Sequence, residues 1–133
     1  DGEQTRSFSD IDDCIFCIDK LITDKNINKE TFNIGPDEEK ITINELYKIL
    51  SNKLKYNEPA VHVLDRPNEV KHAICSANKA RKYLGYKTSV TLDESIQKVI
   101  DFIKSKGSKK FTYNYRLEIN NEKTPDTWKK KVF

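Results

Sequence analysis

Arginine is scarce in this chain. Only four of its 24 basic residues are arginines, and two of those stand at the ends of extended segments. Arg6 lies in Gln4-Thr5-Arg6-Ser7-Phe8, just ahead of a predicted helix, and Arg66 lies in Asp65-Arg66-Pro67-Asn68-Glu69-Val70, just after a predicted strand. A planar guanidinium grips phosphate oxygens bidentately, which the point charge of lysine cannot do. Two such forks on separate loops could clamp a diphosphate, each contact contributing on the order of 1.5–3 kcal/mol. Spacing alone favours the plainer reading of two surface arginines in ordinary ion pairs.

Other groups with chemical potential read as structural. Cys14-Ile15-Phe16-Cys17 has redox or zinc-knuckle spacing, but no second pair or nearby histidine completes a site. Both cysteines fall in an apolar helical stripe with Ile11, Ile15, Ile18, Leu21 and Ile22, so buried free thiols are expected, and Cys75 is read as a small core residue as well. Tyr83 and Lys87 have Tyr-x-x-x-Lys spacing, but Gly85 ends the predicted helix between them. Lys71 and His72 are assigned to a solvated face. No G-x-G-x-x-G turn, P-loop or evidently partnered carboxylate pair occurs.

The elements that must position these residues can be placed from caps and periodicity. Residues 6–9 read as extended, and Asp10 to Asp13 supply a cap and first-turn acids for a helix to about Ile22. Thr31-Phe32-Asn33-Ile34 reads as a short strand stopped by Gly35-Pro36, and Ala60-Val61-His62-Val63-Leu64 as another. Thr42-Ile43-Asn44-Glu45 and Thr91-Leu92-Asp93-Glu94 are capping boxes that open helices to about Leu54 and to Gly107. The second of these carries Leu92, Ile96, Val99, Ile100 and Ile103 on one face. Between them, Ser76 is predicted to cap a short helix bearing Ala77, Ala80 and Leu84 and ending at Gly85. One helix-rich α+β unit with short strands results.

Bulk properties agree with a modest core in a solvated shell. The 133 residues are 36% apolar and 34% charged, with a net charge of +3. No apolar run approaches the ~18 residues of a membrane span, and no signal peptide opens the chain, so the cytoplasm is the expected compartment. Residues 104–133 carry nine basic and three acidic side chains, which would suit a polyanion. They are interleaved with Phe111, Tyr113, Tyr115, Leu117, Ile119, Trp128 and Phe133, so a tail wrapped over the protein's own surface is the better reading than nucleic-acid binding.

Segments in order carry a family resemblance: residues 1–13, Thr31–Gly35 followed by Ile41–Leu46, Arg66–Val70 followed by Ser76–Tyr86, and Leu117–Trp128. Together they resemble the C-terminal portion of NAD-dependent epimerases/dehydratases, the sugar-nucleotide branch of the extended short-chain dehydrogenases/reductases. The resemblance implies that Arg6 and Arg66 hold the nucleotide diphosphate, that Glu69 accepts hydrogen bonds from ribose hydroxyls, and that Phe8 lines the sugar or nucleotide pocket. It implies three parts: residues 1–58 bordering the Rossmann domain, 59–107 with the nucleotide-contacting loop and helices, and 108–133 as a basic aromatic tail. The family's NAD-binding glycine turn and catalytic Tyr-x-x-x-Lys lie upstream of the matched region. The chain alone is therefore expected to be inactive and to bind no cofactor, with NAD belonging to the parent enzyme. It is expected to be a fragment, since it lacks methionine and opens on Asp1-Gly2-Glu3-Gln4. Its partners would be a UDP- or dTDP-sugar and the N-terminal Rossmann half of a homodimeric parent, with no membrane. The ending tilts the reading towards a 4-epimerase. A stand-alone nucleotide-sugar-binding protein and a basic module acting through residues 104–133 are the rivals.

Overall fold

The structure, a computed structural model, describes residues 1–110, 112 and 116–131. In chain order the elements are β1 (Thr5–Arg6), α1 (Ile11–Thr23), β2 (Ile41–Thr42), α2 (Ile43–Leu54), α3 (Asn78–Leu84), α4 (Leu92–Lys106) and α5 (Asp126–Lys129). Among the described residues the chain is thus helix-rich with one small sheet. β1 pairs antiparallel with β2, Thr5 opposite Thr42 and Arg6 opposite Ile41. The other edge of β1 takes a parallel bridge from Thr5 to His72.

Helix starts follow local chemistry. The Asp10 carboxylate accepts the Asp12 N–H at 2.9 Å and opens α1, and that bond is the main reason its carboxyl titrates below the usual range. Thr42 and Thr91 form reciprocal capping boxes with Glu45 and Glu94 at α2 and α4. Gly85, at φ 69°, closes α3 in the left-handed conformation that glycine adopts without steric cost.

The core lies where α1 meets α3. Cys17, Ala77, Ala80, Leu84 and Tyr86 are buried together, with Leu21, Ile27, Phe32 and Ile34 packed against them. Small side chains at 17, 77 and 80 let the backbones approach closely. Burial pushes the Cys17 thiol pKa up, as expected for an inert core thiol. Ile96 and Ile100 bury one face of α4. Lys98 on α4 reaches Asp12 at 2.8 Å and Asp10 at 3.3 Å, fastening α4 to the start of α1. Buried Asp13 accepts the Ser89 N–H at 3.1 Å.

Several expectations are corrected. Residues 31–34 form no ladder; Phe32 and Ile34 reach the core without strand pairing. Residues 60–64 form none either, and Val61 and Leu64 are exposed, because both edges of β1 are taken by β2 and by residues 71–73. The cap of α3 is Ala77, not Ser76; the Ala77 N–H donates to Asp37 at 2.7 Å. Cys14 is half-buried, and Cys75 is exposed rather than in the core. On α1, Asp13, Cys17 and Leu21 turn inward, while Ile11, Ile15, Ile18 and Ile22 are exposed. Val99 and Ile103 of the expected α4 stripe are likewise exposed. In the tail, Thr124 is buried and Trp128 half-exposed; Phe111, Tyr113, Tyr115 and Phe133 lie outside the described residues. No described helix is long and apolar enough to cross a membrane.

Candidate functional site

Arg66-Pro67-Asn68-Glu69 is a tight turn. The Glu69 N–H bonds the Arg66 carbonyl at 3.2 Å, and Asn68 sits at φ 60°. Proline second and a left-handed residue third is the type II pattern, and asparagine tolerates that conformation better than most residues. The turn sets Glu69 beside Arg66, whose Nε lies 2.8 Å from Oε2. The chain then runs alongside β1: the Thr5 N–H donates to the Lys71 carbonyl at 2.8 Å, and Thr5 Oγ1 and His72 Nδ1 are 2.9 Å apart. Lys71 and His72 are exposed, as a solvated face requires; His72 is also tied to β1, and Lys71 pairs with Asp1 at 3.1 Å.

This pairing delivers Arg6 to the turn. Its Nη2 donates to Glu69 Oε1 at 3.2 Å and to the Val70 carbonyl at 2.7 Å. Its Nη1 donates to the carbonyls of Thr5 at 2.8 Å and Lys71 at 3.3 Å. Glu69 therefore bridges two arginines from distant segments: Oε2 takes Arg66 Nε, and Oε1 accepts from Arg6 Nη2 and, at 3.4 Å, from Arg66 Nη2. Arg6, Arg66 and Glu69 are brought together as one cluster. Phe8 is not part of it, being half-exposed at a different cleft.

Three clefts border the cluster, and two of them also take in Glu69 or Phe8. One, of about 310 Å³, is lined by Gln4, Tyr47, His62, Arg66, Glu69 and Trp128 among others. Gln4 Oε1 is buried there without a hydrogen-bond partner among the described residues. The other, of about 390 Å³, includes Arg6, Phe8, Arg81, Tyr86 and Lys87. Its Arg81 is committed to Asp37 and Glu38, and donates to Asn78 at 2.9 Å. The Arg81 guanidinium, helped by the Ala77 N–H, holds the Asp37 carboxyl at about 2. Tyr83 stands exposed on α3, edge-on to Phe32 at 6.3 Å between ring centres, while Lys87 lies beyond the Gly85 cap in the cleft. No hydrogen bond joins Tyr83 and Lys87 among the described residues. No group of three His, Cys, Asp or Glu residues could hold a metal ion there either.

Sequence reasoning passed over Gln4, Arg81 and Trp128. Trp128, the chain's one tryptophan, carried a signal; Arg81 did not, since its acidic partners are more than 40 residues away.

No family model matches the chain. A protein of Methanocaldococcus jannaschii assigned as a UDP-glucose 4-epimerase is 30% identical over 105 residues, which cover 79% of this chain and 33% of that protein. dTDP-glucose 4,6-dehydratase 1 of Escherichia coli K12 is 28% identical over 108 residues, covering 76% and 30%. The chain thus spans about a third of the length of the curated relatives it matches. Among solved structures, UDP-glucuronic acid 4-epimerase from Bacillus cereus, in complex with UDP-glucuronic acid and NAD, superposes with a TM-score of 0.74 at 30% identity, over 80% of this chain and 34% of that one. Sequence and fold agree: the chain belongs to the NAD-dependent epimerases/dehydratases of the extended short-chain dehydrogenase/reductase family and corresponds to the C-terminal part of its members.

Proposed function

We propose that this chain is the nucleotide-sugar-binding part of such an enzyme, with Arg6 and Arg66 on the diphosphate, Glu69 on the ribose hydroxyls and Phe8 lining the adjoining pocket. The observation that carries this reading is the convergence of both guanidiniums on one carboxylate, from segments 60 residues apart in sequence. Two positive forks held that close form a site for a doubly charged, oxygen-rich anion. Glu69 supplies an acceptor for neighbouring hydroxyls, as a carboxylate can accept from two at once. The relatives named for UDP- and dTDP-sugars support a sugar nucleotide as the ligand.

In the parent protein the activity would be a UDP-sugar 4-epimerase-like reaction. The chain's own residues do not fit NAD. Of its four glycines, Gly85 and Gly107 end helices, Gly2 precedes β1 and Gly35 follows an unpaired segment. None belongs to a strand–glycine turn–helix that could receive a pyrophosphate. Catalysis and NAD binding are therefore assigned to the remainder of a family member, and the chain alone to binding without turnover. The exposed isoleucines of α1 are where that remainder would pack.

Calorimetric titration of UDP-glucose and dTDP-glucose into the chain tests the reading. Binding that is lost in Arg66→Ala is expected. Binding unchanged in that variant, or no binding to the unaltered chain, would contradict it.

A further inference from the structure

We infer that Glu69 acts as a built-in competitor that makes the arginine pair selective for diphosphates carrying a ribose over bare inorganic anions; this rests on the nucleotide-sugar reading above. Glu69 Oε1 holds Arg6 at 3.2 Å and accepts from Arg66 Nη2 at 3.4 Å, while Oε2 holds Arg66 Nε at 2.8 Å. The carboxylate thus stands where an incoming diphosphate must bind, already satisfying the donors that the diphosphate needs.

Arg6 has little freedom to serve both anions at once. Three of its hydrogen bonds go to the backbone carbonyls of Thr5, Lys71 and Val70, and these fix the plane of the guanidinium. Its fourth hydrogen bond goes from Nη2 to Glu69. An anion that engages this terminal nitrogen must therefore turn Glu69 aside. Arg66 is freer, being half-exposed, but its fork also faces Glu69.

The two classes of ligand differ in what they offer the displaced carboxylate. Inorganic diphosphate brings negative charge and no pair of vicinal hydroxyls, so Glu69 loses two charged partners and faces a like charge. A nucleoside diphosphate brings two ribose hydroxyls, which are donors, and gives Glu69 replacement hydrogen bonds. The exchange is nearly balanced for the nucleotide and unfavourable for the bare anion. Selectivity then comes from a repulsive element as much as from an attractive one. A ligand shifts such an arrangement only by its difference in interaction between the two positions of Glu69.

The test is isothermal titration of the 133-residue chain with UDP, its 2′,3′-dideoxy analogue and inorganic diphosphate, repeated in Glu69→Gln and Glu69→Ala. The unaltered chain is expected to bind UDP about tenfold more tightly than either of the other two, on the scale of one or two partly exposed charged contacts. In both variants inorganic diphosphate should gain about fivefold, as expected for release of an exposed ion pair, while UDP loses affinity and the preference collapses. Two variants of different size guard against a local packing effect, and far-UV circular dichroism confirms that each is folded. If UDP binds but diphosphate affinity is unchanged or lower in both variants, the competitor role is overturned while the nucleotide reading stands. If the unaltered chain binds none of the three, the nucleotide reading fails and this inference falls with it.

Discussion

Replacing Arg6 by alanine removes a guanidinium that donates to the carbonyls of Thr5, Lys71 and Val70 and to the Glu69 carboxylate. The bonds to the Lys71 and Val70 carbonyls tie the 66–72 segment to β1, so the loss is one of fold as well as of charge. A hydrogen bond nets about 0.5–1.5 kcal/mol, and somewhat more when the donor is charged. The Arg6 side chain is 28% exposed, so water partly replaces what is lost. Four bonds discounted in that way give a destabilisation of about 2–3 kcal/mol. Arg66→Ala is the contrast: its side chain is 49% exposed and its partner is the local i,i+3 Glu69. Such a pair is worth about 0.5 kcal/mol. Equilibrium urea unfolding followed by far-UV circular dichroism reads both variants. Both should lose nucleotide binding, but only Arg6→Ala should lose substantial stability. Stabilities within about 0.5 kcal/mol of each other would refute the view that Arg6 anchors the turn to β1.

Other outcomes follow from the same contacts. Asp37 is held at about 2 by Arg81 and the Ala77 N–H. Its folded pKa lies below the unfolded one, so the stabilisation is complete above about pH 4 and is lost as the pH falls towards 2. Asp37→Asn should flatten that part of a melting-temperature profile against pH; an unchanged acid limb would show that the contact contributes nothing. Gly2, at φ 76°, leaves no room for a Cβ, which would run into the Asn44 side chain. Gly2→Ala should therefore disturb the junction between the N-terminus and α2, costing about 1–2 kcal/mol through strain and displaced hydrogen bonds, read by thermal melting. Leu84→Ala in the core should cost about 2–4 kcal/mol, whereas Ile18→Gln on the exposed face of α1 should stay within about 0.5 kcal/mol. Urea midpoints would reveal a wrong orientation of α1 if these two were reversed.

What was legible in the sequence was local. The Asp10 cap, the Thr42 and Thr91 capping boxes and the Gly85 stop each depend on near neighbours in sequence, and all four stand in the structure. Strands need a partner that no single segment displays. Residues 31–34 and 60–64 have strand-like composition but pair with no strand among the described residues, while Ile41–Thr42 pairs with β1 despite its two-residue length. The α1 stripe was visible, but periodicity could not say which half faces the core, since the helix is apolar on both sides. The site divides in the same way. Arg66 and Glu69 are neighbours by their turn, which proline and asparagine announce. Their meeting with Arg6 depends on the Thr5–His72 bridge, a contact 67 residues apart that spacing could not foretell. The Arg81–Asp37 pair escaped for the same reason.

The central claim, that a sugar nucleotide binds where Arg6 and Arg66 meet at Glu69, is tested most directly by nuclear magnetic resonance on the isotopically labelled chain titrated with UDP-glucose. Amide shifts concentrated on residues 4–6 and 66–72 are the predicted result. Shifts confined to residues 86–92 around the Arg81 cleft, or no shifts at all at saturating nucleotide, would contradict it.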